Sequence, residues 1–238
     1  MKEDRRKVAI LTGASGVLGS ALLSLMRDEG YDVAACSRKS FVDNVTIWLP
    51  FDISDESEVK RFVASVVEHF GKIDILVNNA GIIGTTSKLE CTINSDLHRI
   101  FEVNFFGPFY FMKTVIPLMK KQGYGTILNI ASKSAVFAVP GHSAYSASKS
   151  ALLAMTQSLA KEVRDGGENI RCITVSPAGI DSTMRKMVYG KKDSARQQSP
   201  IAVAKIVLDL IRGMEVPNGA NVIIKNGSLI VEEMRDDR

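Results

Sequence analysis

Short apolar runs alternate along this chain with longer stretches of helical periodicity. The runs are nearly continuous in apolar character, which is typical of parallel strands whose sheet is covered on both faces. They lie at 8–11, 33–36, 73–77, 126–130, 170–175 and 221–224, and the helical stretches lie at 18–29, 55–70, 95–121, 143–165 and 200–212. This alternation predicts an α/β fold in three layers, a doubly wound parallel sheet of the Rossmann type with right-handed crossovers.

The lengths of the segments predict how the chain is organised. At 238 residues it can bury one full core, and two domains would be cramped, so residues 1–238 are predicted to form a single domain. After Arg38 the strand-like run 45–49 begins too soon for a normal crossover helix, which we expect to be missing or reduced to one turn. The polar stretch 183–199, rich in Lys, Arg, Gln and Ser, is predicted to be a lid.

Composition narrows the class of protein. With 45% hydrophobic and 24% charged residues, the chain has the composition of a folded globular protein. The 30 basic and 26 acidic residues predict a mixed surface, and no nucleic-acid recognition motif is present, so we expect no nucleic-acid partner. No run approaches the ~18 apolar residues of a membrane-spanning helix, so no membrane partner is expected.

The number and spacing of the cysteines and histidines bear on the cellular compartment and on metal binding. The 3 cysteines are odd in number and far apart, and no signal-peptide core follows the charged amino terminus, so a cytoplasmic location is expected. The 3 histidines show no ligand spacing, and we expect no metal.

A glycine-rich turn, Thr12-Gly13-Ala14-Ser15-Gly16-Val17-Leu18-Gly19, follows the first strand and opens the first helix. Glycines let the backbone approach a pyrophosphate, and the helix amino end offers free N–H groups and partial positive charge. The turn predicts a dinucleotide site, although such a turn can also bind nothing. The phosphate-binding residues predicted here are Gly13, Ser15, Gly16, Leu18 and Gly19.

The end of the second strand favours one form of the dinucleotide. An acidic residue there would bind the ribose hydroxyl of NAD, whereas a basic one would bind the 2′-phosphate of NADP. Asp32 begins the strand, roughly 16 Å from the tip at Ser37. The tip reads Ser37-Arg38-Lys39, so NADP is favoured and NAD is less expected, the alternative being an ordinary basic loop.

Tyr145 and Lys149 lie four positions apart in a helical stretch that Ser143 can cap and Gly166-Gly167 can end. Residues at this spacing share one helix face, with Cβ atoms about 5–6 Å apart. A free phenol titrates near pH 10, so proton transfer near neutrality requires a pKa lower by ~2–3 units, which a neighbouring cation can supply. Alone, such a pair is more often a buried ring and a solvated amine.

Several further motifs accompany this pair. Tyr145-Ser146-Ala147-Ser148-Lys149 has the form YxxxK, Ser132 lies thirteen residues before the tyrosine, and Asn78-Asn79-Ala80-Gly81 follows the fourth strand. With Asn104 and Asp52, they resemble the short-chain dehydrogenase/reductase family over nearly the whole chain. The likeness is to its compact single-domain branch, which includes 3-oxoacyl carrier-protein reductases.

The resemblance implies roles for particular residues. Those implied to be catalytic are Ser132, Tyr145, Lys149 and Asn104. Those implied to bind the cofactor, beyond the glycine turn and the tip of the second strand, are Asp52, Ile53, Asn79, Ala80, Gly81, Tyr145, Lys149, Pro177, Gly179, Ile180 and Ser182.

The sequence departs from the family pattern at three places. Val17 replaces the middle glycine of the usual TGxxxGxG, and Gly16 precedes it, as in the extended branch of the family. Ala178 replaces a glycine in the later proline-glycine motif, and its downstream threonine becomes Ser182, next to Thr183. Asn226 replaces an aspartate near the last strand, which often contributes to a tetramer interface in the family.

The resemblance implies an oxidoreductase that transfers hydride between NADPH and a carbonyl or secondary alcohol substrate. Tyr145 would act as general acid and base, Ser132 would hydrogen-bond the carbonyl oxygen, Lys149 would hold the ribose and lower the tyrosine pKa, and Asn104 would position a water. A homodimer or homotetramer is expected. The alternatives are a non-catalytic NADPH-sensing regulator and, on the glycine spacing alone, an extended-branch epimerase.

The substrate is left open at this stage. Segment 134–143 is expected to line the pocket with apolar groups, while the lid supplies cations. An acyl carrier thioester of the 3-oxo type, a steroid, a sugar and a small ketone all fit that description.

Overall fold

The computed structural model describes residues 6–38 and 45–234, and within them the chain forms one eight-stranded sheet in the order β3-β2-β1-β4-β5-β6-β7-β8. All neighbouring strands are parallel except β7 and β8. The strands are β1 (Val8–Thr12), β2 (Asp32–Ser37), β3 (Ile47–Pro50), β4 (Ile75–Asn78), β5 (Tyr124–Ile130), β6 (Asn169–Pro177), β7 (Asn221–Lys225) and β8 (Ser228–Glu232).

Helices connect β1 to β2 and link the successive strands from β3 to β7. The helices are α1 (Val17–Asp28), α2 (Glu56–Phe70), α3 (Asn94–Phe101), α4 (Gly107–Gln122), α5 (Ser143–Asp165), α6 (Thr183–Tyr189), α7 (Lys191–Ser194) and α8 (Pro200–Arg212). Short 3₁₀ turns lie at Leu89–Cys91 and Lys133–Ala135, and one π-helical turn lies at Glu102–Phe106.

Local chemistry accounts for the bounds of α2. Asp55 precedes the helix, and its side chain accepts hydrogen bonds from the backbone N–H groups of Ser57 and Glu58. These are two of the amide donors that a helix start otherwise leaves unpaired. The helix ends at Gly71, whose φ of 76° is accessible to glycine at little cost.

Helices cover both faces of the sheet. One apolar core lies between the sheet and α2, α4 and α5, where the Phe62 ring lies 5.4 Å from that of Phe51 and 6.2 Å from that of Phe111. A second core lies on the opposite face, where α1 and α8 contribute Leu22 and Val207. The three-layer, doubly wound fold predicted from the alternation is therefore confirmed.

The strand order reverses between β1 and β4, and this reversal places a crevice at the carboxyl ends of the strands. From β1 the chain moves outward to β2 and β3, and it then returns to β4 on the other side of β1. In open α/β sheets, ligands bind at such a switch point. Thr12, Asn78 and Ile130 end β1, β4 and β5 and so meet at this edge.

Three details differ from the sequence-based predictions. The stretch 95–121 is α3 and α4 joined by the π-helical turn, and Ser143 is the first residue of α5, whose N-cap position is taken by His142 without a side-chain capping bond. Strand β8 was not predicted, although the tight turn before it contains Asn226 and Gly227, both with positive φ. An Asn-Gly pair of this kind is a strong hairpin signal.

The remaining segment predictions concern the lid and the short crossover. The lid segment 183–199 contains α6 and α7. Most of the crossover between β2 and β3, residues 39–44 with Lys39, lies outside the described residues. Within residues 6–38 and 45–234, no helix combines the length and apolar character needed to cross a bilayer.

Candidate active site

A cavity of about 820 Å³ opens at the carboxyl ends of the strands. Every predicted site residue within the described ranges lines it, with the exception of Asn104. The lining members of the predicted set are Gly13, Ser15, Gly16, Leu18, Gly19, Ser37, Arg38, Asp52, Ile53, Asn79, Ala80, Gly81, Ser132, Tyr145, Lys149, Pro177, Gly179, Ile180 and Ser182.

The glycine turn forms the floor of this cavity. Gly13 has a φ of 65°, and a Cβ atom there would lie only 2.7 Å from the Cα atom of Ala80, so no larger residue fits without movement. Gly16 is the N-cap of α1, and no side chain caps that helix end. The amide donors of the first helical turn therefore remain available to an anion in the cavity.

The turn after β4 is joined to the glycine turn by hydrogen bonds. The Thr12 hydroxyl accepts from the backbone N–H groups of Asn79 and Ala80, each at 3.0 Å. The Asn79 side chain donates to the carbonyl oxygens of Thr12 and Gly13. Thr12 thus connects both turns, a role that the sequence motif alone does not indicate.

At the tip of β2, Ser37 and Arg38 line the cavity. Asp32 begins the same strand and pairs in register with Val8, at the opposite edge of the sheet. The structure therefore places the cation at the cavity and the carboxylate away from it, as the strand length predicted.

Asp52, which follows β3, is held by two neighbouring residues. Its carboxylate accepts from the Ser54 hydroxyl at 2.8 Å and forms an ion pair with Arg99 of α3. Burial alone raises the pKa of this carboxyl, but the hydrogen bonds of Ser54 and the charge of Arg99 outweigh it, and the pKa is lowered. Asp52 is therefore a charged acceptor at this end of the cavity.

Tyr145 lies on the first turn of α5 and Ser132 on the loop after β5, and the two side chains interact. Burial raises the pKa of the Tyr145 phenol, the hydrogen bond with Ser132 lowers it, and nearby Tyr189 raises it, with a raised pKa as the net result. This direction is opposite to the lowered pKa expected of a phenol that loses its proton near neutrality. A raised pKa keeps the phenol protonated, which is the form of a proton donor.

Lys149 lies one turn further along α5 and is only 3% exposed. Its Nζ donates to the carbonyl oxygen of Ile130 at 2.8 Å. Burial lowers the pKa of this amine to about 8, so it is still mostly protonated at pH 7.

Asn104 lies in the π-helical turn and is fully buried. Its side chain accepts from the backbone N–H of Ile82 at 2.9 Å and donates to the carbonyl oxygen of Ile82 and to the Ser148 hydroxyl. A Cβ atom on Gly81 would lie 3.2 Å from Lys149 Nζ and 3.3 Å from Asn104 Oδ1. Asn104 is thus near Lys149 but behind the cavity wall.

The segment after β6 enters the cavity and leads into the lid. Ser182 is the N-cap of α6, and its hydroxyl oxygen accepts from the backbone N–H of Arg185 at 3.1 Å, which leaves its O–H free to donate. Ile180 forms an isolated parallel bridge with Gln198 at the other end of the lid. Both ends of segment 183–199 are therefore tied together beside the cavity.

Several lining residues were not singled out from the sequence. His142, Arg185 and Tyr189 line the cavity and contact one another. The available signals were a histidine three residues before Tyr145 and a lone aromatic residue in a cationic lid. In residues 6–38 and 45–234, no three His, Cys, Asp or Glu residues are grouped so as to hold a metal ion.

Comparison with known proteins identifies the family. The short chain dehydrogenase family model matches residues 7–193, which is most of the chain. The chain belongs to this family. It is therefore an oxidoreductase of the short-chain dehydrogenase type, as the motifs around Tyr145 predicted.

Individual relatives agree with the family match. The 2-(R)-hydroxypropyl-CoM dehydrogenase of Xanthobacter autotrophicus is 34% identical, over 94% of this chain and 96% of that protein. The 3-oxoacyl-[acyl-carrier-protein] reductase FabG of Thermotoga maritima is 31% identical over 94% and 98% of the two chains. The solved structure of ElxO with NADP bound matches this short-chain dehydrogenase with a TM-score of 0.82 and 26% identity, over 93% and 98% of the chains.

Proposed function

We propose that this protein is an NADPH-dependent carbonyl reductase, able to act in reverse as an alcohol dehydrogenase. The supporting observation is that Ser132, Tyr145 and Lys149 line the same cavity as the glycine turn. A dinucleotide at the turn and a carbonyl group at Ser132 and Tyr145 would then share one enclosed space.

The residues present fit the cofactor. The uncapped amino end of α1 at Gly16 suits the pyrophosphate, and Arg38 at the tip of β2 suits a 2′-phosphate, for which a guanidinium is a strong partner. Asp52 would accept a hydrogen bond from the adenine amino group. Lys149 would hold the ribose hydroxyls, and Ser182 would donate to the carboxamide. When bound, the reduced nicotinamide supplies the hydride that reduces the carbonyl carbon.

Side chains of the protein supply the proton and hydrogen-bond the carbonyl oxygen of the substrate. The Ser132 hydroxyl oxygen accepts from the Ser134 N–H at 3.1 Å, and its O–H, which is hydrogen-bonded to Tyr145, would donate to the substrate oxygen once a substrate binds. Tyr145, a phenol that is protonated at neutral pH and whose pKa is raised further by burial, would give its proton to that oxygen as the alcohol forms. The positive charge of Lys149 stabilises the phenolate left behind.

Asn104 and the lid have supporting roles. Asn104 lies behind the cavity wall next to Gly81 and Lys149, and its Oδ1 would accept a hydrogen bond from a water that returns a proton to the site. The lid segment 183–199 covers the substrate end of the cavity through α6.

The protein is further proposed to act as a homodimer or homotetramer in the cytoplasm. The edge strand β8 exposes Leu229, Ile230 and Val231, and an exposed apolar edge favours pairing with a second copy. The thiols of all three cysteines are free, which suits a reducing compartment. Light scattering after gel filtration gives the number of copies.

The decisive experiment is a panel of ketones, 3-oxoacyl thioesters, steroids and sugars, assayed with NADPH and with NADH. Oxidation of NADPH with a carbonyl compound, at a higher kcat/KM than with NADH, is the expected result. Tight NADPH binding with no turnover of any compound would overturn the proposal in favour of a cofactor-sensing regulator.

A further inference from the structure

A histidine and a tyrosine join the lid to the loop before α5 across the substrate end of the cavity. His142 Nε2 and Tyr189 Oη lie 2.7 Å apart, and both residues line the cavity. His142 lies three residues before Tyr145, and Tyr189 is the last residue of α6. The cavity therefore presents a second phenol besides Tyr145.

The burial of His142 indicates which atom carries the hydrogen. The residue is 5% exposed, and its Nδ1 has no hydrogen-bond partner within the described part of the chain. A buried N–H without an acceptor is rarer than a buried acceptor without a donor. Nε2 therefore carries the hydrogen and donates it to the Tyr189 oxygen, which leaves the Tyr189 O–H free to donate into the cavity.

Arg185 strengthens this donor. Its guanidinium carbon lies 3.9 Å from the centre of the Tyr189 ring, and its Nε donates to Asp193 at 2.5 Å, which holds it there. A cation on the ring face draws electron density from the phenol and makes its hydrogen a better donor. Burial, with a smaller contribution from the same positive charge, lowers the pKa of His142 and favours the neutral imidazole.

The charges around the cavity favour an oxygen on the substrate. Among the described lining residues, Asp52 is the one carboxylate, and it follows β3, four strand positions from β5. At the usual strand spacing this is roughly 19 Å from the strand that leads to Ser132. Asp193 is engaged by Arg185 and does not line the cavity, so a substrate hydroxyl or amine would find no carboxylate in the cavity wall at Tyr189, whereas a carbonyl or carboxylate oxygen would find a donor.

We propose that Tyr189 is a specificity-determining residue, positioned by His142, that donates a hydrogen bond to a second oxygen of the substrate. The protein then prefers ketones that carry another carbonyl or carboxylate oxygen over simple ketones of the same size. This inference rests on the proposed reductase function and narrows its substrate class.

The test compares ethyl 3-oxobutanoate with 2-heptanone, which have main chains of equal length and differ in the ester group. In Tyr189→Phe, which keeps the ring under Arg185, kcat/KM for the oxo ester should fall about tenfold, the value of one hydrogen bond. The value for 2-heptanone should stay within about twofold. Tyr31→Phe, at the amino end of β2 and away from the cavity, is the matched control and should leave both values unchanged.

His142 acts through Tyr189, and its variants separate positioning from folding. His142→Gln retains a donor and should keep most of the preference for the oxo ester, whereas His142→Leu should lose it. The double variant His142→Leu/Tyr189→Phe should show the same ratio of kcat/KM values for the oxo ester and 2-heptanone as Tyr189→Phe alone. Both changes remove the same interaction with the substrate.

The outcomes distinguish this inference from the function on which it rests. Equal losses on both substrates in Tyr189→Phe, or no loss on either, would overturn the role of Tyr189 and leave the reductase proposal intact. If the unaltered protein reduces no ketone with NADPH, the reductase proposal fails, and the inference fails with it.

Discussion

Lys149 Nζ donates to the carbonyl oxygen of Ile130, the last residue of β5, at a distance of 2.8 Å. This hydrogen bond joins α5 to the strand end from which the loop with Ser132 starts. It also places an ammonium group where almost no water reaches it, and burial lowers its pKa to about 8. The Lys149 ammonium group therefore lies close to the loop with Ser132, but its charge loses the stabilisation that water would give it.

The lowered pKa predicts a pH-dependent stability. An unfolded lysine keeps its proton to about pH 10.4, whereas folded Lys149 releases its proton near 8. Between these values the unfolded chain binds more protons, so the contribution of Lys149 to the free energy of unfolding rises with pH. Relative to Lys149→Met, the unfolding free energy of the natural protein should rise by about 2 kcal/mol from pH 8 to pH 10 in urea titrations.

The matched control for this measurement is Lys161→Met, a partly exposed lysine of the same helix. Its replacement removes an amine that solvent can reach, so the comparison of the two variants isolates the effect of burying Lys149. A constant difference between the natural protein and Lys149→Met from pH 8 to pH 10 would contradict the burial of a titrating amine.

Replacing the Tyr145 phenol should separate chemistry from cofactor binding. Tyr145→Phe removes the proposed proton donor but keeps the ring, so turnover of a ketone should fall by at least ~100-fold. The affinity for NADPH, measured by titrating its fluorescence, should change little. Tyr110→Phe on α4, outside the cavity lining, is the control. If Tyr145→Phe turned over a ketone as fast as the unaltered protein, Tyr145 would not be the proton donor.

Much of the site was predictable because it depends on the spacing of residues that are close in sequence. The interval between Tyr145 and Lys149 places them on one helix face, and the glycine turn must follow a strand and open a helix. The carboxyl ends of parallel strands meet at one sheet edge, so residues after β1, β4, β5 and β6 had to converge there. Helix geometry and strand order explain why these residues converge, whereas the choice of Asn79, Ser132 and Ser182 as site residues came from the family resemblance.

The remaining features depend on contacts between distant segments. The pair of His142 and Tyr189 forms only when the lid folds back over the loop before α5, a separation of 47 residues. The π-helical turn at Asn104 is accompanied by hydrogen bonds of the Asn104 side chain to Ile82, and hydrophobic periodicity does not predict a contact between these segments. β8 was missed because its apolar residues form a short run, although Asn226-Gly227 signalled the hairpin.

The cofactor preference should depend on Arg38. Arg38→Leu removes the proposed partner of the 2′-phosphate, and the loss of a charge-assisted hydrogen bond should lower kcat/KM for NADPH by about tenfold or more. The value for NADH, which lacks that phosphate, should stay within about threefold. Arg61→Leu, on the exposed side of α2, is the control. Equal losses with both cofactors would show that Arg38 does not distinguish them.

Asn104 should matter for stability as well as for turnover. Asn104→Leu keeps the volume but leaves the N–H and the carbonyl oxygen of Ile82 without their side-chain partner. Each of these two groups costs about 1–3 kcal/mol when it is left unpaired away from water, so the unfolding free energy should fall by about 2–6 kcal/mol in urea titrations. Asn94→Leu makes the same chemical change at the exposed start of α3 and should cost far less. If the two variants were equally stable, the side chain of Asn104 would have no structural role, and any loss of turnover would then reflect its proposed water alone.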